Sequence, residues 1–335
     1  MTISPQRRRD LIEAFRGRRV LVVGDLMLDR YISGRVGRLS PEAPVPIVQV
    51  QSERSVPGGA ANVARNVRAL GGVPIVTGLV GHDSDGDELM DLLREGGIAV
   101  DGVQQVERVR TTVKARIVAE RQQVARVDYE TVAWQDEAIV RALAGCAAEL
   151  AADADAIVLE DYGKGVVRQP LADAVVAAAG KAGRPVGYDP NSSVDLDLRS
   201  VRVATPNLGE AFAAAGMARA SDADDGDDIA IEEAGRRLMR KWHPDLLMIT
   251  LGPAGMYLRT SEGGSTRIPT HAREVFDVSG AGDTVIAATM LSLLAGASDC
   301  EAAWLANGAA GVVVGKLGAA TCTGEELLAR LEQDE

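Results

Sequence analysis

Between residues 136 and 251, short apolar runs alternate with amphipathic helical stretches, and this alternation leaves the chain few architectures. The spacing predicts helices over 136–151, 171–182, 208–215 and 229–242, and strands over 156–159, 185–189, 201–204 and 246–251. Strands joined through helices run parallel, and a parallel sheet must be covered on both faces. Upstream, 19–24 (Arg-Val-Leu-Val-Val-Gly) is a continuous apolar run ending at glycine, the pattern of a strand buried on both sides. Helix 59–70, strand 74–80 and helix 85–95 extend the theme, and helices 281–295, 300–316 and 325–332 close it. The expected fold is α/β, a doubly wound, mostly parallel sheet.

Two regions break the alternation. Residues 45–51 are β-branched and bounded by prolines, as an edge strand is, and 100–129 suggest several short strands. They predict a small separate sheet, a lid built from about 31–56 and about 100–130, on one domain spanning 1–335. Residues 221–228 (Ser-Asp-Ala-Asp-Asp-Gly-Asp-Asp) read as a solvated loop.

The formal net charge of −12 argues against nucleic acid, whose binding is driven by basic side chains that displace counterions. Aromatic residues make up 3% of the chain, too few for base-stacking surfaces. The cysteines Cys146, Cys300 and Cys322 and the histidines His82, His243 and His271 show no metal-ligand spacing. The basic N-terminus lacks a following apolar segment and the run 20–23 is far too short to span a bilayer, so a cytoplasmic protein with reduced cysteines is expected.

The strongest chemical signal is Asp277-Val-Ser-Gly-Ala-Gly-Asp283, running into an apolar helix. Small residues at Gly280, Ala281 and Gly282 allow a phosphate close to the backbone, and a helix N-terminus favours anions. A carboxylate there, Asp283, could accept a proton from a hydroxyl while phosphate charge develops beside it. An acid in a first helical turn can also do no more than complement the dipole. Two glycines in that turn, each costing about 1 kcal/mol against alanine, bring the two readings level. Neither a Walker A loop nor a Rossmann glycine fingerprint is present; Gly311-Val-Val-Val-Gly315-Lys316 is one residue short and lies within a helix.

Together with Gly58-Gly59-Ala-Ala-Asn62, this segment resembles the ribokinase-like (PfkB-type) carbohydrate kinases, whose signatures are a glycine pair followed by Asn and a DTxGAGD stretch. Val278 in the Thr position is a departure. Asn207-Leu-Gly-Glu210 resembles the family's NxxE element and Thr250-Leu-Gly252 its nucleotide-side turn, so the likeness covers essentially the whole chain. A narrower likeness, to the family's kinases of D-glycero-β-D-manno-heptose 7-phosphate, is carried by 24–31, 38–46, 57–63, 161–165 and 309–318. Asp189-Pro-Asn191 departs from it, with Asn where those kinases carry Lys.

The resemblance implies that Asp283 is the base for the anomeric hydroxyl and that Gly280, Ala281 and Gly282 form the anion hole. It implies that Asn207, Glu210, Thr250, Gly252 and Asn307 serve ATP, with Glu210 acting on Mg²⁺ through water; a monovalent cation is compatible with it. Asp29, Gly58, Gly59 and Asn62 become the sugar cradle, with Asp25, Asp161 and Lys164 at neighbouring strand ends. For the substrate phosphate the candidates are Arg30, Arg35, Arg38, Lys114, Arg116 and Arg126 around the lid, Arg38 and Lys114 first. The family also implies a homodimer through the lid strands. No HxGH occurs in the chain, so adenylylation is expected to fall to a separate nucleotidyltransferase. Two other readings stay open: a related kinase of fructose 6-phosphate or ribose, and a catalytically silent sugar-binding regulator on the same scaffold.

Overall fold

The computed structural model describes residues 3–120, 122–130, 136–218, 228–271 and 275–333. The central feature is a nine-stranded sheet. Its strands are β1 (Arg19–Gly24), β4 (Val73–Gly81), β5 (Ala99–Val106), β8 (Ala156–Glu160), β9 (Val186–Asp189), β10 (Val203–Ala204), β11 (Leu246–Thr250), β12 (Met256–Thr260) and β13 (Ser265–Ile268). Their order is β13-β12-β11-β10-β9-β8-β1-β4-β5, parallel except for the antiparallel edge strands β12 and β13. A second sheet has the order β3-β2-β6-β7, with β2 (Leu26–Leu39), β3 (Pro46–Gly59), β6 (Thr112–Ala119) and β7 (Gln122–Tyr129).

Helices cover both faces of the large sheet. On one side lie α1 (Pro5–Glu13), α2 (Ala60–Ala69), α3 (Ser84–Glu95), α8 (Ala281–Leu294), α9 (Asp299–Val313) and α10 (Gly324–Glu332). On the other are α4 (Glu137–Ala152), α5 (Gln169–Ala182), α6 (Leu208–Ala214) and α7 (Asp228–Trp242). Strand β1 shows why its sequence is apolar throughout: Val20 and Val22 enter the first core, Leu21 and Val23 the second. The doubly wound, mostly parallel α/β architecture agrees with the alternation in the sequence.

Several elements differ from the expectation. Residues 99–106 pair in parallel with β4, so they belong to the large sheet, and only 112–119 and 122–129 of the second region enter the small one. Strand β2 escaped detection because its inner half is buried and its outer half exposed, with no alternation between. The β12–β13 hairpin and α1 also lie outside the expected elements. The predicted acidic loop lies, except for Asp228, outside the described residues.

The chain passes from β1 into the small sheet through Asp25 alone, and Leu26 of β2 pairs with Gly59 at the end of β3. The base of the small sheet is thereby anchored at the carboxyl ends of the central strands, where open α/β sheets bind ligands.

Candidate active site

Helix α8 begins at Gly280, whose φ of 80° is left-handed and suited to glycine. A Cβ there would stand 2.6 Å from the Asn62 amide nitrogen, so the position also needs the missing side chain. The amide of Ala281 bonds to the Val278 carbonyl and that of Thr284 to Gly280. The amides of Gly280, Gly282 and Asp283 have no backbone acceptor among the described residues, so of the expected anion hole Gly280 and Gly282 keep theirs available, Ala281 does not, and Asp283 adds one.

Asp283 sits in the first turn, 1% exposed. Asn62 Nδ2 donates to one carboxylate oxygen at 2.6 Å and the Tyr162 hydroxyl to the other, also at 2.6 Å. Burial pushes the carboxyl up to about 6, against the lowering effect of these two donors; Asp29 raises it further and Lys114 opposes that. A base with this proton affinity is ionised at neutral pH and can still accept a proton.

Tyr162 lies in the 161–165 segment but is not one of the site residues expected from the sequence. Its loop is held by Asp25, whose carboxylate accepts from the amides of Tyr162 at 2.8 Å, Lys164 at 3.0 Å and Val166 at 3.0 Å. Both Asp25 oxygens are thus committed to backbone, and the expected contact with substrate is replaced by a role in shaping the loop. Lys114 places its ammonium 5.0 Å from the Tyr162 ring centroid. Lys164 pairs with Glu130 at 2.5 Å. Asp161 accepts from the Gly163 amide at 2.8 Å, and its other oxygen is buried without a partner. Burial and the nearby Asp25 raise its carboxyl to about 7.

Asp29 is buried on β2 and ion-paired with Arg116. A Cβ on Gly58 would lie 2.3 Å from its carboxylate, which explains glycine at that position, with Gly59 next to it at the foot of α2. Arg38 does not join them. It lies exposed at the outer end of β2, opposite Ile47, because the strand carries it away from the large sheet. Arg30 is engaged by Asp85 and Glu88, and Arg126 by Asp128.

Of the residues expected on the nucleotide side, Asn207, Glu210, Thr250 and Gly252 gather at the end of β11. Asn207 caps α6 in a reciprocal box with Glu210, and Asn207 bridges to Thr250 in parallel register. Gly252 has a left-handed φ of 57° just beyond β11. Asn307, on α9, donates to the Pro269 carbonyl at 2.6 Å.

Beneath Asp283 the strand ends bring acids together. Glu160 ends β8, Asp189 ends β9, and both are held well above the usual carboxylate range, by burial first and then by neighbouring acids that include Glu210 and Asp283. Among the described residues neither Glu160 oxygen has a hydrogen-bond partner, and the neighbouring Asp189 carboxyl raises its proton affinity beyond what burial does. The Thr205 hydroxyl donates to Asp189 at 2.8 Å. Among the described residues no three His, Cys, Asp or Glu side chains converge closely enough to ligate an ion directly.

Residues 18–326 match the model of the pfkB family carbohydrate kinases. Among curated proteins the chain is 45% identical over 321 residues to the Bifunctional protein HldE of Halorhodospira halophila, covering 96% of this chain and 65% of that protein. It is 44% identical over 322 residues to the Bifunctional protein HldE of Caulobacter vibrioides, covering 95% and 64%. The chain therefore spans a little under two thirds of the length of these relatives. Among solved structures, Arabidopsis thaliana ribokinase complexed with ribose and ATP superposes with a TM-score of 0.71 at 20% identity, covering 95% of this chain and 99% of that one. Escherichia coli phosphofructokinase-2 in complex with potassium gives 0.72 at 19%, covering 95% and 98%. At these identities the two structures establish the fold alone.

Proposed function

Because the chain belongs to the pfkB family of carbohydrate kinases, it transfers a phosphoryl group from ATP to a sugar hydroxyl, and we propose that the sugar is D-glycero-β-D-manno-heptose 7-phosphate, taken at its anomeric hydroxyl. The product is the 1,7-bisphosphate, on the route to ADP-heptose and the lipopolysaccharide core. One observation carries the reading: four of the five segments with the heptose-kinase likeness meet around Asp283, while 38–46 lies out on the small sheet. Asn62 and Tyr162 bind its carboxylate, Gly58 abuts Asp29, and the Tyr31 hydroxyl accepts from the Ala319 amide at 3.0 Å.

In this mechanism Asp283 accepts the hydroxyl proton as the sugar oxygen forms its bond to the γ-phosphorus and the bond to ADP breaks. Asn62 and Tyr162 orient the carboxylate, and the free amides at the head of α8 face the charge on the transferring group. Asn207, Thr250, Gly252 and Asn307 hold the nucleotide. The all-oxygen, carboxylate-rich neighbourhood of Glu210 and Asp189 suits Mg²⁺, held through water since the acids do not converge on a single point. When bound, Mg²⁺ neutralises phosphate charge.

The small sheet serves as lid and as the contact of a homodimer. Leu39, Val45, Val50, Val124, Val127 and Tyr129 expose apolar surface on it, and a second copy would cover them. Among the described residues no helix is long and apolar enough to cross a membrane. The proposal places the reaction in the cytoplasm, with a nucleotidyltransferase activity as its successor.

ADP release across a panel of sugars tests the assignment. Turnover with the heptose 7-phosphate should greatly exceed that with fructose 6-phosphate or ribose. Comparable rates on those sugars point to another member of the family, and no turnover on any sugar points to a silent regulator.

A further inference from the structure

Two guanidinium groups flank one tyrosine beside the sugar cradle, and a third shares a backbone partner with its hydroxyl. Arg116 lies 5.3 Å and Arg54 5.4 Å from the ring centroid of Tyr31, a residue 7% exposed. Arg65 approaches from α2, where its Nη1 donates to Asn62 Oδ1 at 2.8 Å and to the Ala319 carbonyl at 3.0 Å. The Tyr31 hydroxyl holds the amide of the same Ala319.

The charges of this cluster are incompletely matched. Arg116 has Asp29, but among the described residues neither Arg54 nor Arg65 forms an ion pair. Three carboxylates face the group, and each is already engaged: Asp29 by Arg116, Asp277 by the amides of Ser279 and Gly318, Asp283 by Asn62 and Tyr162. Burial opposes the charge on Arg65, and the neighbouring Arg54 adds to that. Gathering like charges in half-buried surroundings is unfavourable until an anion completes the set, and planar guanidinium forks suit phosphate oxygens. Asn62 joins Arg65 directly to Asp283, so the cluster stands one side chain from the base.

We propose that Arg54, Arg65 and Arg116 form the binding site for a phosphate monoester on the acceptor sugar, at the end remote from the hydroxyl that is phosphorylated. This deepens the heptose 7-phosphate reading and rests on it. Two of the three arginines, Arg54 and Arg65, lie outside the set suggested by the sequence. The same chemistry could serve a phosphate of ATP, and the experiment separates the two.

Arg54→Gln and Arg65→Gln are compared with wild type by ADP release, varying heptose 7-phosphate and ATP in turn. Inorganic phosphate is also titrated into each protein by calorimetry, a readout that needs no turnover. Arg54 is exposed, so its variant should fold; thermal melting checks Arg65→Gln, and Arg65→Lys restores the charge without the fork. The expected result is a rise of about 10- to 100-fold in KM for the sugar phosphate, an unchanged KM for ATP, and weakened phosphate binding. A rise in KM for ATP alone overturns the proposal, as does an unchanged KM for heptose 7-phosphate in folded Arg54→Gln. If no sugar is turned over yet both variants lose phosphate binding, the kinase assignment fails and the anion site stands.

Discussion

The side-chain amide of Asn62 donates to Asp283 at 2.6 Å across 221 residues of sequence, joining the first turn of α2 to the first turn of α8. The other end of that amide accepts from Arg65, which fixes which way the Asn points. Asn62→Ala therefore removes a donor from a buried carboxylate and loosens its orientation. We expect kcat to fall by about 10- to 100-fold, with a smaller change in KM for ATP. Steady-state kinetics check this.

Tyr162 supplies the second donor to Asp283, and its hydroxyl stays protonated because burial and the neighbouring acid raise it well above its ordinary value. A hydrogen bond to the ionised carboxylate lowers its proton affinity, so removing the hydroxyl must raise it. In wild type, kcat/KM should fall as pH drops through about 6, where Asp283 becomes protonated. In Tyr162→Phe that acid limb should move to higher pH. A limb that stays in place would show that the tyrosine packs without tuning the base.

Glu160 and Asp189 predict a pH dependence of stability. Their folded-state proton affinities are raised, by burial first. Such groups contribute stability that is full below the ordinary carboxylate range and is lost as pH rises through the raised values. Thermal melting should therefore show stability declining from mildly acid towards alkaline pH. Glu160→Gln keeps the shape and cannot ionise, so it should flatten the decline and melt roughly 2–4 °C higher at pH 8, for a gain on the order of 1 kcal/mol. A lower melting temperature at pH 8 would mean that Glu160 is ionised and held by a cation.

How much of this was legible depended on whether the cause was local. Strand β1 and helices α4 and α5 announced themselves because burial on both faces or on one face writes its period into neighbouring residues. The Gly58-Gly59-Asn62 and Asp277–Asp283 segments were legible because phosphate approach and left-handed turns demand glycine where they occur. Tyr162 was not, since its meaning lies in a contact with Asp283 across 121 residues. Glu160 falls just past the strand expected over 156–159, and only the juxtaposition with Asp189 gives it chemistry. Arg38 stands out in the sequence for its place near the lid and Arg65 does not, but β2 carries Arg38 outward while α2 turns Arg65 towards Asn62.

The direct test of the account is the turnover of Asp283→Asn, which preserves the shape and removes the proton acceptor. With ATP and heptose 7-phosphate at saturation, kcat should fall by about 10²- to 10⁴-fold while the melting temperature and the affinity for ATP hold. Near-wild-type turnover in a folded variant would contradict the assignment of Asp283 as the base.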